Sequence, residues 1–329
     1  MSSPELFFDT MFAPQRAAVV KAAIELDVFS AIANGAHTVN EIARRCQASE
    51  RGIRILCDTL TISGFLTKSG DTYQTTADSA TFLAKQSPAY LASVAEFLLS
   101  PEYLRYYDAL ADTIRRGTVG PAANSVAPEN PIWIRFAHAM MPMMMGAAHA
   151  IAEILGPTAA PIRVLDIAAG HGGFGIVVAQ RNPAAEVVAV DWAPVLTVAA
   201  ENAEAMGVAA RFRTLPGDAL TIEYPSGFDV ALLANFLHHF DRAACVGLLR
   251  KVAASLKSGG RVVLLEFVPN EDRISPPLAA AFSLTMLAGT PAGDAYTFAE
   301  HKSMLTEAGF LAVTGHPLPG PETVIVGVK

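Results

Sequence analysis

Apolar residues recur at helical spacing through most of the first half of the chain. The segment 13–33 predicts a helix, and Thr38 and Glu41, in the order S/T-x-x-E, predict the capped start of another. Residues 49–65 predict a third helix, and a Ser-Gly-Asp turn within residues 65–76 predicts two short paired strands. Three helices followed by a hairpin indicate a winged-helix domain.

The pattern changes after a stretch of further helices. Residues 86–157 predict longer helices, interrupted by the Pro/Gly/Asn-rich loop RRGTVGPAANSVAPENP. Beyond Pro161, short β-branched-rich runs alternate with helical segments, which predicts a parallel sheet covered by helices on both faces. Two runs within 310–329, joined by a Pro/Gly turn, predict a closing antiparallel hairpin. The parallel runs are IRVLDIA, EVVAV, ARFRTL, FDVALLANF and GRVVLLEFV. The predicted class is therefore α/β, with a seven-stranded Rossmann-like sheet.

Composition narrows the classes of protein that fit this pattern. The chain has 329 residues, of which 52% are hydrophobic, and a net charge of -7. No apolar run reaches the roughly 18 residues of a membrane-spanning helix, and the N-terminus lacks the pattern of a secretory signal. Three widely spaced cysteines indicate reduced thiols. We therefore expect a cytoplasmic protein without membrane or nucleic-acid partners.

A glycine-rich loop follows the first predicted parallel strand. Gly170, Gly172 and Gly175 satisfy G-x-G-x-x-G, and Asp191 follows 21 residues after the first of them. This spacing is typical of a dinucleotide site, so an NAD-dependent oxidoreductase is one alternative. Asp166, just before the glycines, argues against it, because a carboxylate there would repel a pyrophosphate and would suit an ammonium group.

Two further acids follow the next two strands. Asp191 can accept hydrogen bonds from both hydroxyls of a ribose, and Asp218, in PGDAL, can accept one from an adenine amino group. The ends of successive parallel strands meet along one crevice, so the three acids should share it. S-adenosylmethionine has an ammonium group, a ribose and no phosphate, and it is the predicted cofactor.

These motifs resemble those of the class I S-adenosylmethionine-dependent methyltransferases. More closely, the chain resembles small-molecule O-methyltransferases with an N-terminal winged-helix dimerisation domain, such as the plant caffeic acid and flavonoid enzymes and the acetylserotonin enzyme. The resemblance covers nearly the whole chain. It implies a homodimer whose chain divides into a dimerisation domain (1–100), a helical connector contributing to the acceptor pocket (101–160) and a catalytic domain (161–329).

The resemblance also implies which residues bind ligands. Ala168 and Ala169 replace two glycines of the family's D-x-G-x-G-x-G loop, so a slightly different loop backbone is expected. In FAHAMMPMMMGAAH, the family motif places Phe136 and Met140 in the acceptor pocket, and Met144 lies one helical turn further on. Methionine packs well against flat aromatic molecules, and the expected acceptor is a small aromatic hydroxyl compound. The implied cofactor residues are Asp166, Ala168, Gly170, Gly172, Asp191, Trp192, Asp218 and Ala219.

The stretch ANFLHHFDR contains the predicted catalytic base. The family's register places the catalytic histidine at His238 and its orienting acid at Glu266, 28 residues later. A hydroxyl with a pKa near ~10, like that of tyrosine, needs a base for rapid methyl transfer. If this segment is extended, His239 points away from the crevice and has no catalytic role.

Two positions depart from the plant enzymes. Where those enzymes carry a second acid near the histidine, this chain has Ala295, with Asp294 beside it and Glu300 in a capping box. The plant enzymes' cofactor-contacting lysine is replaced by Ala234. The base is thus expected to have one carboxylate partner.

Two other functions are open alternatives. A winged helix also occurs in DNA-binding regulators, but residues 1–100 contain eight basic and ten acidic residues, the opposite of what DNA binding needs. Some relatives in antibiotic pathways bind S-adenosylmethionine but hydroxylate or decarboxylate their substrates. Nothing in the spacing of the histidines calls for a metal.

Overall fold

The computed structural model describes residues 3–156 and 160–329, which form two compact units that divide between Ser100 and Pro101. The first unit consists of short helices and one hairpin. Its elements are α1 (Glu5–Met11), α2 (Ala13–Glu25), α3 (Val28–Ala33), α4 (Val39–Arg45), α5 (Glu50–Ile62), β1 (Leu66–Ser69), β2 (Thr72–Thr75), α6 (Ala77–Phe82) and α7 (Ala95–Leu98).

Local sequence signals account for most of the first unit. Thr38 and Glu41 form the predicted capping box at the start of α4, and β1 and β2 form the predicted antiparallel hairpin. The helix expected over residues 13–33 is instead two helices, because Asp27 adopts a left-handed conformation (φ 57°) between α2 and α3.

The second unit contains nine helices within its described residues and the seven-stranded sheet. The helices are α8 (Pro101–Leu104), α9 (Leu110–Arg116), α10 (Ile132–Ala139), α11 (Met141–Leu155), α12 (Gly173–Arg181), α13 (Ala193–Ala205), α14 (Arg242–Ser255), α15 (Pro277–Gly289) and α16 (Phe298–Glu307). The strands are β3 (Ile162–Ile167), β4 (Ala185–Asp191), β5 (Phe212–Pro216), β6 (Phe228–Ala234), β7 (Leu256–Phe267), β8 (Leu311–Pro317) and β9 (Glu322–Val328).

The sheet order positions the site. The strands lie in the order β5-β4-β3-β6-β7-β9-β8; the first five are parallel, and β9 is antiparallel to both β7 and β8. The predicted seven-stranded α/β sheet and its closing hairpin are confirmed. The strand order reverses direction at β3, so a crevice opens at the carboxyl ends of β3 and β6, where α/β proteins bind ligands.

The helices between residues 101 and 156 belong to this second unit. The long helices expected before Pro131 are two short helices, α8 and α9, with 3-10 turns between and after them. Pro142 interrupts the methionine-rich helix as expected, since α10 ends at Ala139 and α11 starts at Met141 with the proline in its first turn. No helix in the described part of the chain is long and apolar enough to cross a membrane.

Candidate active site

The first strand of the second unit, β3, ends at the glycine-rich loop that leads into α12. Asp166 is 1% exposed, and its Oδ2 accepts a hydrogen bond of 3.0 Å from the Gly175 N–H in the first turn of α12. Burial raises the Asp166 pKa to about 8, although that hydrogen bond opposes the shift. Asp166 therefore stabilises the start of α12 from behind the loop, and its contact with an ammonium group stays a prediction.

The loop glycines have two different roles. A Cβ at Gly172 would lie 3.0 Å from a methyl group of α13, and one at Gly175 would lie 2.8 Å from Oδ2 of Asp166. Close packing against α13 and against β3 therefore requires glycine at these two positions. A Cβ at Gly170 would meet only the ring of Phe136, at 3.8 Å. At Gly170 the loop thus presents bare backbone, which allows a ligand to approach closely.

Ala168 keeps a glycine-like backbone without being glycine. Its φ is 53° and that of Gly170 is 56°, both in the left-handed region. An L-residue in this region is strained by roughly 1–2 kcal/mol. Ala168 therefore keeps the left-handed backbone that favours glycine, and its strain lowers the stability of the folded chain.

Asp191 ends β4 beside this loop. Its Oδ2 accepts a hydrogen bond of 2.8 Å from the Gly170 N–H, and its Oδ1 accepts one of 2.7 Å from the Trp192 N–H. Burial raises the Asp191 pKa to about 6, and the two hydrogen bonds oppose this shift. Trp192 begins α13 and packs with Ala137 and Val195 in an apolar cluster between α10 and α13.

The third predicted acid follows β5. The Gly217 N–H donates a hydrogen bond of 3.0 Å to the Asp191 backbone oxygen, which joins the two strand ends. Asp218 is half-buried, and its Oδ1 accepts a hydrogen bond of 2.8 Å from the backbone N–H two residues later. Ala219 is buried. The three predicted acids thus lie at or just beyond the carboxyl ends of three neighbouring strands.

His238 and Glu266 form a buried pair at the same edge. His238 lies on the 3-10 turn Leu237–His239 after β6, and its Nδ1 is 2.5 Å from Oε2 of Glu266 on β7. His238 is 3% exposed and Glu266 is fully buried. Burial favours a higher Glu266 pKa, but His238 and the Leu237 N–H hold it below its ordinary value. With Nδ1 engaged, Nε2 is the nitrogen able to exchange a proton with a ligand.

The expected extended segment is wrong: residues Leu237–His239 form a 3-10 turn, and the rings of His238 and His239 are neighbours instead of lying on opposite sides of the chain. Their ring centroids are 4.4 Å apart, because the segment is a 3-10 turn rather than extended chain. The His239 ring lies edge-on to Trp133 of α10, with 5.2 Å between centroids, and its Nδ1 is 3.2 Å from the Phe236 carbonyl oxygen. Burial and the neighbouring His238 lower the His239 pKa well below its ordinary value. The neutral form of His239 is therefore favoured, and its ring packs against α10.

The predicted acceptor residues lie on α10 and α11. Phe136 lies over Gly170 of the glycine loop, and its ring is nearly parallel to that of His171, with 6.3 Å between centroids. Met144 is buried, with its Sδ 3.3 Å from Nδ2 of Asn235 at the end of β6. Met140 is buried at the junction of the two helices. Phe136 and Met144 thus border the two strand ends that open the crevice.

Sequence reasoning missed two polar residues near the histidine. Asn235 has a left-handed backbone (φ 54°) directly after β6, and its Nδ2 donates to Oε1 of Glu322 at 2.8 Å. Burial raises the Glu322 pKa. An Asn after a predicted strand is a weak signal for such a turn, but Glu322 reaches the site from β9, far along the chain.

Two phenylalanines were missed as well. The rings of Phe267 and Phe282 are stacked, with 3.8 Å between centroids, and Phe282 lies 4.8 Å from the His238 ring at 77°. Phe282 is on α15, 44 residues after the histidine, so no local pattern could have indicated its position.

The segment in which the plant enzymes carry a second acid places no carboxylate beside His238. Ala295 is fully buried, the Asp294 carboxylate lies 3.6 Å from Arg273, and Glu300 closes the capping box of α16. Among the described residues, no group of three or more His, Cys, Asp or Glu side chains could hold a metal ion.

The crevice fits S-adenosylmethionine better than a dinucleotide. The loop 168–173 contains no Lys or Arg, and the half-buried Asp191 adjoins it. Such a site offers a pyrophosphate no cationic partner, and it offers a carboxylate acceptor to the hydroxyl groups of a ribose. The order of the strands and the position of the crevice indicate an α/β protein that binds a nucleoside.

Comparison with known proteins agrees with this geometry. Residues 157–311 match the O-methyltransferase domain family, and residues 8–85 match the O-methyltransferase dimerisation domain family. The chain is 28% identical to a 3-hydroxy-5-methyl-1-naphthoate 3-O-methyltransferase of Streptomyces sahachiroi, over 99% of this chain and 95% of that protein. It is 31% identical to the acetylserotonin O-methyltransferase of Mus musculus molossinus, over 89% and 80%.

A solved structure is still more similar. A crystal structure from Nostoc punctiforme, assigned to the O-methyltransferases, superposes with a TM-score of 0.95 at 50% identity and covers 100% of both chains. The chain therefore belongs to the S-adenosylmethionine-dependent O-methyltransferases that carry an N-terminal dimerisation domain. This membership removes the oxidoreductase and the DNA-binding regulator as alternatives.

Proposed function

We propose that this enzyme methylates a hydroxyl group of a small aromatic metabolite, with His238 as general base and Glu266 as its orienting acid. The observation that carries the proposal is the buried contact of 2.5 Å between His238 Nδ1 and Glu266 Oε2 at the carboxyl edge of the sheet. A carboxylate on Nδ1 fixes the tautomer with its free lone pair on Nε2 and stabilises the imidazolium that forms.

The cofactor site is proposed along the ends of β3, β4 and β5. Backbone at Ala168, Gly170 and Gly172 would line the methionine part, Asp191 would bind the ribose hydroxyls, and Asp218 the adenine amino group. Asp166, Trp192 and Ala219 complete the proposed site; of these, Asp166 supports the loop from behind. When bound, S-adenosylmethionine supplies an electrophilic methyl group on a sulfonium.

The chain's own residues then act on the acceptor. His238 would accept the hydroxyl proton on Nε2 as the acceptor oxygen takes up the methyl group, which bound S-adenosylmethionine would supply, leaving as the neutral S-adenosylhomocysteine. Glu266 keeps the imidazole ring in place throughout. General-base help of this kind is typically worth about 10²–10⁴ in rate, and alignment of the reacting atoms supplies much of the rest.

An aromatic acceptor is supported by the side chains around the histidine. Phe282, stacked on Phe267, faces the His238 ring edge, while Phe136 and Met144 border the crevice from the other helices. Met140 is proposed for the same pocket from the family motif. Flat aromatic molecules gain from contact with rings and thioethers. The similar Streptomyces sahachiroi protein is named for a hydroxynaphthoate.

A homodimer built through the first unit is also proposed. The matched dimerisation domain covers residues 8–85, and α1 buries none of its side chains within the chain. Its exposed apolar residues, together with Phe12, are Leu6, Phe7, Phe8 and Met11. The proposed domains remain 1–100 for dimerisation, 101–160 as the connector and 161–329 for catalysis.

Replacement of the base tests the proposal. We expect His238→Ala to cut kcat by about 10² or more on a phenolic acceptor found by screening with labelled S-adenosylmethionine. The Kd for S-adenosylhomocysteine, measured by isothermal titration calorimetry, should stay within a few-fold. Glu266→Gln should cause a smaller loss, since the amide keeps the shape without the charge.

His239→Ala is the matched control. Its ring packs on Trp133 and its Nδ1 is occupied by the Phe236 carbonyl, so turnover should fall only a few-fold. If His239→Ala is the more damaging change, the assignment of the base is wrong. If neither change affects turnover, general-base catalysis is not used.

A further inference from the structure

The turn that carries His238 is held from two sides. On one side, Glu266 Oε1 accepts hydrogen bonds from the Phe236 N–H at 3.2 Å and the Leu237 N–H at 2.8 Å. The opposite side of the turn, where its carbonyl groups lie, is covered by residues 290–297, the irregular segment between α15 and α16. We call these eight residues the clamp segment.

The clamp segment donates two hydrogen bonds to carbonyl groups of the turn. The Asp294 N–H donates to the His238 carbonyl oxygen at 2.9 Å. The Tyr296 hydroxyl donates to the Phe240 carbonyl oxygen at 2.6 Å. Together with Glu266, these bonds fix both the N–H and the C=O groups of the short turn around the catalytic histidine.

Gly293 brings the clamp segment closer than any other residue type could. A Cβ at this position would collide with the His238 carbonyl oxygen, lie 2.6 Å from Thr290 Oγ1 and lie 3.0 Å from the His239 carbonyl carbon. Two of these neighbours are backbone atoms of the catalytic turn, so they cannot rotate away. The Gly293 backbone is not in the left-handed region; the requirement for glycine is therefore one of space alone.

The clamp segment is itself anchored on its far side. The Gly293 N–H donates to Thr290 Oγ1 at 2.9 Å, and that hydroxyl donates to the Met286 carbonyl at the end of α15. Arg273 Nη1 donates to the Ala295 carbonyl at 2.8 Å, and its Nη2 donates to Glu300 at 2.6 Å. Because the clamp segment is anchored, it can hold the backbone of the turn in a fixed position.

We propose that the clamp segment is a positioning element for methyl transfer, in which Gly293 and the Asp294 N–H fix the His238 backbone so that Nδ1 meets Glu266 and Nε2 faces the acceptor. The inference rests on the proposed role of His238 as base.

The test substitutes Gly293→Ala and observes the histidine directly. In the parent, ¹H–¹⁵N spectra of protein labelled at histidine should contain a downfield Nδ1–H signal from the His238–Glu266 contact, assigned by its loss in His238→Ala. We expect Gly293→Ala to move or abolish this signal. On the acceptor found by screening, kcat should fall about 10²-fold, since small misplacement of a catalytic group costs that much, while KM and the S-adenosylhomocysteine Kd stay within a few-fold.

Two variants make the test decisive. Gly320→Ala is the matched loop control, because a Cβ there meets nothing within 4 Å, and it should leave both the signal and kcat unchanged. Tyr296→Phe removes the hydrogen bond to the Phe240 carbonyl without adding bulk, and it should weaken the signal and lower kcat several-fold. This variant also tests the proposal if Gly293→Ala folds poorly.

Two outcomes would overturn the inference. One is an unchanged Nδ1–H signal with unchanged kcat in both clamp variants. The other is loss of S-adenosylhomocysteine affinity in parallel with kcat, which would reveal general damage to packing rather than misplacement of His238. Failure of the proposed function itself looks different: His238→Ala would then retain turnover, whatever the clamp variants do.

Discussion

At the end of β4, Asp191 carries a carboxylate in surroundings that disfavour charge. Burial raises its pKa to about 6 from 3.8, so the folded chain favours the protonated form. Its contribution to folding stability is therefore fully present below pH 4 and is lost as the pH rises through about 6. A ribose in the proposed site would need the opposite state, the carboxylate, to accept two hydroxyl hydrogen bonds.

The folded chain favours protonated Asp191, whereas a ribose needs the carboxylate. Cofactor binding should therefore depend on pH. The affinity for S-adenosylhomocysteine, measured by calorimetry, should fall as the pH is lowered through about 6, because protonated Asp191 is a poorer acceptor. Asp191→Asn should bind about tenfold or more weakly at pH 7 and show little pH dependence between pH 5 and 7. An affinity of the parent protein that is flat across this range would contradict the assignment of Asp191 to the ribose.

Ala168 supports a prediction about stability. Because its φ of 53° is strained for any residue with a Cβ, Ala168→Gly should raise the free energy of unfolding by roughly 0.5–1 kcal/mol after the entropic cost of glycine. Urea denaturation without ligand measures it. The neighbouring Ala169, which is buried and not in the left-handed region, is the control, and Ala169→Gly should destabilise. Destabilisation by Ala168→Gly would show that the loop is not strained there.

At the scale of helices and strands, the sequence predicted the elements that depend on residues close together in the chain. Parallel strands buried on both faces are continuous apolar runs, and those runs became β3 to β7. The predicted cap at Thr38 also formed, because a cap needs only residues within one turn.

The failures at this scale have a common cause. The turn at Leu237–His239 and the left-handed residue Asn235 are held by hydrogen bonds to Glu266 on β7 and Glu322 on β9, which no local pattern shows. An extended interpretation of the histidine pair therefore placed the two rings on opposite sides of the chain, although they are neighbours. The clamp segment is irregular and its partners are about 55 residues away, so neither periodicity nor a motif could have indicated it.

At the scale of the whole molecule, the candidate site was predictable to the extent that topology decides it. The carboxyl ends of β3, β4, β5, β6 and β7 meet at one edge, so acids and a histidine placed after those strands had to converge. The places of Phe282 beside His238 and of Glu322 beside Asn235 were not predictable, because both residues belong to later elements whose packing depends on the assembled sheet.

Association of two chains gives the last prediction. Helix α1 exposes 80% of Leu6 and 60% of Phe7 and buries none of its residues, so charge there should not disturb the core. Sedimentation should show a dimer for the parent, and Leu6→Glu with Phe7→Glu should weaken it by about 10² or more, as expected for two apolar side chains removed from an interface. Leu311→Glu, at a 68% exposed position on β8 outside the matched dimerisation domain, should remain dimeric. A monomeric parent at micromolar concentration, or an undiminished dimer in the double variant, would exclude α1 as the dimer contact.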